Sequence, residues 1–166
     1  MIAEIITILL FYFFAILQSS FLVHFNLFGA VLNLVFIFFF LNVFFAPKKI
    51  GYEIILYAVV AGIFSDIFSY AFFGLSSVLL VIIAYFSKKM QTSLKEKHDK
   101  YPFIHFLPLF SAWFVVYELL MMMYFRFADS SHTAIIFNLG FLFEILYNAI
   151  AASLGFYIFK WQKFIK

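Results

Sequence analysis

Cysteine is absent from this chain of 166 residues, which excludes disulfides and thiolate metal sites. Charge is scarce as well, because Asp, Glu, Lys and Arg together make up 11% of the residues. Apolar side chains take their place: 67% of the sequence is hydrophobic and the mean hydropathy is +1.09, far outside the range of soluble globular proteins. The composition predicts an integral membrane protein with a single transmembrane domain over residues 1–166.

Catalytic constellations are also missing from the sequence. The histidines lie in or beside predicted loops on both membrane sides without metal-ligand spacing; they are His24, His98, His105 and His132. Gly74-Leu75-Ser76-Ser77 weakly resembles the serine motif of rhomboid proteases, but the last predicted helix has no histidine to activate a serine. We therefore predict that the chain is not an enzyme and uses no cofactor or metal.

Six apolar runs are typical of membrane helices. They extend over Ile5–Val23, Leu27–Phe45, Ile54–Phe68, Phe72–Phe86, Phe103–Phe125 and Ala134–Phe159. The first run has no basic segment before it and no small-residue cleavage site after it, so we expect a retained helix and not a signal peptide. The predicted fold class is an all-α membrane protein with six transmembrane helices.

Lysine placement predicts the orientation. Lysines follow the second, fourth and sixth runs, whereas Arg126 is the only basic residue expected on the opposite side. The positive-inside rule then places both termini in the cytoplasm. Residues 87–102 form a basic cytoplasmic loop between helices 4 and 5, which is interpreted as a topology signal that touches lipid or, alternatively, as a docking site. The same lysine collar explains the basic isoelectric point, so nucleic acid is not an expected partner.

Small and polar residues form stripes on two predicted helices. Ala58, Gly62, Ser65, Asp66 and Ser69 share one face of the third helix, and Glu144, Asn148, Ala151, Ala152 and Gly155 repeat the same offsets on the sixth. Small residues let helices approach closely, and polar groups bond across helices where lipid offers no partner. The stripes therefore pack either inside this protein or against another membrane protein, and the sequence leaves both open.

Three acidic residues lie inside predicted helices, namely Asp66, Glu118 and Glu144, with Arg126 as the one nearby base. The helical rise places the first two in the outer part of the bilayer and Glu144 nearer its centre. Because desolvation disfavours a charged carboxyl, we hypothesise that at least one is protonated, or is held by backbone N–H groups or a partner's cation.

The fourth run, Phe72–Phe86, is only about 15 residues long, or roughly 22 Å of helix. In one interpretation, the turn before this helix lies below the membrane interface, and Asp66, Ser69 and Gly74 cap or bend the chain there. In the other, the helix extends to Met90, and the side chains of Lys88 and Lys89 reach back to the membrane surface.

The order of several motifs resembles one known family. Leu17-Gln18-Ser19-Ser20 ends the first helix, Asn26-Leu27-Phe28-Gly29 opens the second, and Ala61-Gly62 leads through Asp66 and Ser69 to Phe73-Gly74-Leu75. In this order, over nearly the whole chain, they resemble MreD, the rod shape-determining membrane protein family; Tyr117-Glu118-Leu119 and Asn148 are also of the family's kind. The excess of phenylalanine and the lack of basic residues before the first helix depart from it.

The resemblance implies a non-catalytic, multipass protein of the bacterial inner membrane that works in the cell-wall elongation machinery alongside MreC, MreB, RodA and the elongation transpeptidase. MreC is the expected partner, with the region around Gln18, Asp66, Ser69 and Gly74 contributing. The candidate partner-binding or intramembrane polar residues are Gln18, Ser19, Gly62, Asp66, Ser69, Gly74, Glu118, Glu144 and Asn148.

The MreD family also resembles the substrate-capture subunits (S-components) of vitamin uptake transporters in fold. The alternative function is therefore a capture subunit for a small nutrient. Those subunits resemble one another in an alanine-spaced first helix, whereas this first helix offers only Ala3 and Ala15.

Overall fold

The computed structural model describes residues 2–24, 29–46, 51–69, 72–93, 102–128 and 139–164. Within these ranges the chain forms six α-helices and no β-strand. They are α1 (Ile2–Ile16), α2 (Leu34–Phe45), α3 (Tyr52–Phe68), α4 (Leu75–Ser93), α5 (Pro102–Ala128) and α6 (Leu139–Phe164). The predicted all-α class and the number of helices are thus confirmed for the described residues.

Three stretches of the described chain are long and apolar enough to cross a membrane, judged by length and composition. They are Glu4–His24, Pro102–Phe127 and Leu139–Trp161. Six crossings, with both termini in the cytoplasm, stay a prediction.

Helix α2 lies at the centre of the protein, since nine of its twelve residues are buried. A helix that is apolar all round is stable only where other helices cover it. Phe36 contacts Phe114 of α5 with ring centroids 5.3 Å apart, and Phe44 contacts Phe106 of α5 at 5.0 Å. Phenylalanine therefore fills the core between α2 and its neighbours.

The start of α2 differs from the prediction. The apolar run beginning at Leu27 was expected to be helical throughout, but the helix begins at Leu34, and residues 29–33 are non-helical. Asn33 sets this boundary, because its side-chain oxygen accepts a hydrogen bond from the Phe36 N–H at 3.0 Å and caps the helix. Gly29, with φ of +85°, adopts the left-handed conformation that glycine tolerates best. Residues 25–28 lie outside the described part.

The fourth helix is also placed differently. The helix runs from Leu75 to Ser93. The predicted run Phe72–Phe86 therefore begins before the helix does, and it ends more than one turn before the end of the helix. Residues 87–93, assigned from the sequence to the basic loop, are helical, whereas residues 94–101 lie outside the described part. With 19 residues the helix is not short, so the argument for a turn below the membrane interface no longer applies.

Candidate functional site

A first polar cluster is built on Asp66, near the C-terminus of α3. Its side chain is 4% exposed, with Oδ2 accepting a hydrogen bond from the Gly74 N–H at 2.7 Å and Oδ1 from the Ser76 N–H at 3.1 Å. Gly74, at φ of +99°, turns the chain so that these N–H groups face the carboxylate. Asp66 therefore caps the N-terminus of α4, where the helix dipole favours negative charge. Backbone N–H groups thus hold the Asp66 carboxyl, which is one of the alternatives that the hypothesis named, and its location inside a membrane stays a prediction.

Ser76 connects this cluster to α5. The Tyr117 hydroxyl donates to Ser76 Oγ at 3.3 Å and also hydrogen-bonds to Ser65 of α3. At the end of α3, the Ser69 N–H donates to the Asp66 backbone carbonyl at 3.3 Å. Asp66, Ser69 and Gly74 thus lie together as the sequence indicated, whereas the link through Tyr117 was not predicted.

The stripe on α3 packs against α4 of the same chain. At Gly62 an added Cβ would overlap the backbone N and Cα of Ser77, so only glycine allows this approach. Ser77 Oγ donates to the Val59 carbonyl at 3.2 Å across the same contact. Of the two interpretations that the sequence left open, internal packing therefore applies to Gly62 and Asp66.

A second polar cluster surrounds the non-helical segment before α2. Asn148 of α6 is fully buried and donates through Nδ2 to the carbonyls of Val31 and Glu144, each at 2.9 Å. Its Oδ1 accepts a hydrogen bond from the Asn33 N–H at 2.7 Å. Backbone N–H and C=O groups that have left a helix need other hydrogen-bond partners. Asn148 supplies them.

Gln18 and Ser19 lie in the π-helical turn Leu17–Phe21 that continues α1. Gln18 Oε1 accepts a hydrogen bond from the Val35 N–H in the first turn of α2 at 3.3 Å, so Gln18 belongs to the second cluster. Ser19 Oγ donates to the Ile16 carbonyl at 3.2 Å. The two predicted residues therefore have separate roles, and only Gln18 reaches another helix.

Two glutamates complete the second cluster. The Glu118 carboxyl hydrogen-bonds with the Asn33 side chain and is close enough to Glu144 for the two carboxyls to interact electrostatically. Glu144 accepts a hydrogen bond from the Val31 backbone N–H. Both carboxyls therefore interact with the same non-helical segment, and their depths in a membrane stay a prediction. Asn33 links Glu118 to the N-terminus of α2. It was not among the predicted site residues, although asparagine before an apolar run is a signal for a helix start.

The stripe on α6 packs against α2, and an open groove lies beside it. An added Cβ on Gly155 would lie 2.7 Å from Leu41 Cδ1, so glycine permits the close approach of α6 and α2. Between α1 and α6 there is an apolar groove of about 660 Å³ with α2 as its floor. Ile6 and Leu10 line one wall and Leu154 the other. We call this feature the α1–α6 groove.

These contacts join the helices into one framework. Within the described ranges, no group of three or more His, Cys, Asp or Glu side chains could hold a metal ion. The polar groups of both clusters bond to backbone or to one another, which stabilises turns and helix ends. No protein-family model, curated protein or solved structure matches the chain. The resemblance to MreD therefore depends on the sequence motifs alone.

Proposed function

We propose that this chain is a non-catalytic scaffold of the bacterial inner membrane that binds MreC and helps to control cell shape and lateral peptidoglycan synthesis. Its helices cross the membrane six times, with both termini in the cytoplasm. MreB, RodA and the elongation transpeptidase join the same assembly. The proposal is supported by the MreD-like order of motifs and by the α1–α6 groove.

The α1–α6 groove is the observation that carries the proposal. Its lining falls within Ile6–Phe14 of α1, Leu34–Asn42 of α2 and Ala151–Phe159 of α6, about two and a half turns of each helix. Ala151 is small enough for another helix backbone to approach, which is how helices associate in lipid. The single membrane helix of MreC lies along this groove.

The rim and floor of the α1–α6 groove both suit a helix. Leu154 and Ile158 on the rim are 64% and 57% exposed, so their apolar surface is available for packing. Asn42 adds one polar side chain to the lining, and its Nδ2 donates to the Phe38 carbonyl at 2.8 Å. Interhelical contacts in membranes combine such apolar packing with isolated polar groups.

The residues that the sequence motifs indicate for partner binding have an indirect role in this proposal. Gln18, Asp66 and Gly74 hydrogen-bond within the chain, so they hold α1, α2 and α4 in the arrangement that leaves the groove open. A direct contact between this region and MreC stays a prediction.

Co-purification of MreC with this chain from detergent tests the proposal. Ala151→Trp fills the groove, whereas Ile150→Trp adds the same bulk to the neighbouring residue of α6, which is 61% exposed and does not line the groove. We expect MreC to co-purify with the native chain and with the Ile150 variant but not with the Ala151 variant. Equal recovery with both variants, or no recovery with the native chain, would count against the proposal.

A further inference from the structure

The central helix α2 is uncovered at its one polar residue. Asn42 is the only polar side chain in Leu34–Phe45, and every residue from Val35 to Phe44 is buried except Asn42, which is half-buried. Asn42 also lines the α1–α6 groove. Between Val35 and Phe44, the neighbouring helices therefore cover the apolar side chains of α2 and leave its single amide at the groove.

The hydrogen bond that Asn42 makes leaves part of its amide unused. Its Nδ2 donates to the Phe38 carbonyl, four residues earlier on the same helix, at 2.8 Å. A carbonyl can accept only from the nitrogen of an amide side chain, so this bond fixes the orientation of the amide. Within the described part of the chain, Asn42 Oδ1 accepts no hydrogen bond, and the second N–H of Nδ2 is unused as well. The amide thus offers an acceptor and a donor at the groove.

The rest of the groove gives this amide no partner. Thr7 is the other polar residue of the lining and already has an interaction of its own, and all the remaining lining residues are apolar or glycine. Lipid tails cannot supply a hydrogen bond either. Because an unpaired amide in apolar surroundings costs free energy, a polar side chain of an occupant would stabilise the bound state.

We propose that the α1–α6 groove selects a membrane helix that carries a hydroxyl or amide side chain, which donates a hydrogen bond to Asn42 Oδ1. This inference rests on the proposed role of the groove in binding a helix, and it adds the residue that recognises the partner. Serine, threonine, asparagine and glutamine supply such donors. A purely apolar helix leaves Asn42 unpaired, so Asn42 discriminates between helices that pack equally well.

Asn42 also fixes the register of the bound helix. It lies eight residues after Leu34, which lines the groove at the other end of its floor, so the two positions differ by about 12 Å along α2. The polar donor must therefore lie toward one end of the docked segment, with apolar residues over the next two turns. A single polar group in an otherwise apolar helix interface specifies register in the same way.

A double-mutant cycle tests the hydrogen bond. The native chain and Asn42→Leu are each combined with poly-leucine membrane peptides that carry one asparagine near either end, or leucine throughout. Energy transfer between labelled chain and peptide in detergent micelles measures the affinity. The matched control is Ser153→Ala, because Ser153 Oγ bonds to the Ala149 carbonyl four residues earlier, as Asn42 does to Phe38, but does not line the groove.

We expect the native chain to bind one of the asparagine peptides about three- to tenfold more tightly than the leucine peptide. Asn42→Leu should bind the peptides equally, and Ser153→Ala should keep the native preference. No preference in the native chain, or a preference that Asn42→Leu retains, would overturn the inference. Asn42→Ala replaces the leucine variant if circular dichroism shows that the latter does not fold.

Binding of MreC in the same assay separates this inference from the proposed function. Binding to Asn42→Leu that is about three- to tenfold weaker than to the native chain supports both. Equal binding to the native chain and Asn42→Leu, with none to Ala151→Trp, leaves the groove as the docking site and overturns selection by Asn42. If MreC does not bind the native chain, the proposed function fails, and the peptide cycle alone decides the role of Asn42.

Discussion

Replacement of Asp66 by alanine should destabilise the protein through the end of α4. The substitution removes the acceptors of the Gly74 N–H at 2.7 Å and the Ser76 N–H at 3.1 Å. A hydrogen bond to a charged group contributes about 1.5–3 kcal/mol, whereas loss of an exposed helix cap costs about 0.5–2 kcal/mol. Because the Asp66 side chain is buried and makes two such bonds, we expect the free energy of unfolding to fall by about 3 kcal/mol.

Two further substitutions separate the cap from other effects of losing a charge. Asp66→Asn keeps one acceptor oxygen but places an N–H donor toward the second backbone N–H. We therefore expect it to lower the free energy of unfolding by about half as much as Asp66→Ala does. Glu53→Ala is the matched control, because Glu53 is an exposed acid in the first turn of the same helix. We expect the control to change stability by less than about 0.5 kcal/mol.

Equilibrium unfolding in mixed micelles, with increasing dodecyl sulfate and helical circular dichroism as the signal, measures these differences. The native chain and the three variants are compared at one detergent concentration. If Asp66→Ala lowers the free energy of unfolding no more than Glu53→Ala does, the carboxylate does not cap α4 and the reasoning is refuted.

Two further predictions concern packing and the second cluster. Gly62→Ala should lower stability by about 1–3 kcal/mol, because the new methyl group overlaps the Ser77 backbone, whereas Gly51→Ala, with open space around it, should be nearly neutral in the same assay. Asn148→Leu should accelerate hydrogen exchange at the Asn33 backbone amide by at least about tenfold, because that amide loses its acceptor. Asn148→Asp retains an acceptor and should preserve most of the protection. Equal exchange rates in the two variants would contradict this role of Asn148.

The sequence was sufficient for the helical class and for placing the small and polar residues of each stripe on one helix face. A carboxylate, small residues and serines at helical spacing on α3 occupy one face, and that face contacts α4 through Gly62 and Asp66. The spacing alone could not say whether the contact was with the same chain, because lipid makes an internal and an external helix partner chemically alike.

The start of α2 and the end of α4 could not be placed from apolar runs. At the start of α2 the local cap by Asn33 acts together with Asn148, which is distant in sequence and holds the preceding segment. In α4, Lys88 binds the Ala46 carbonyl at the C-terminal end of α2. A lysine after an apolar run normally indicates the membrane surface, so its burial against a helix end was not foreseeable. Tertiary hydrogen bonds therefore override the hydropathy pattern at both positions.

Photocrosslinking from α6 tests the scaffold role most directly. A photoreactive residue replaces Leu154, which lines the α1–α6 groove, or Leu146, which is similarly exposed on the same helix but does not line the groove. The two leucines are 64% and 58% exposed, so lipid alone would treat them alike. We predict that the membrane helix of MreC is captured from position 154 and not from position 146. Capture of lipid only from position 154, or equal capture of MreC from both positions, would contradict the proposed groove.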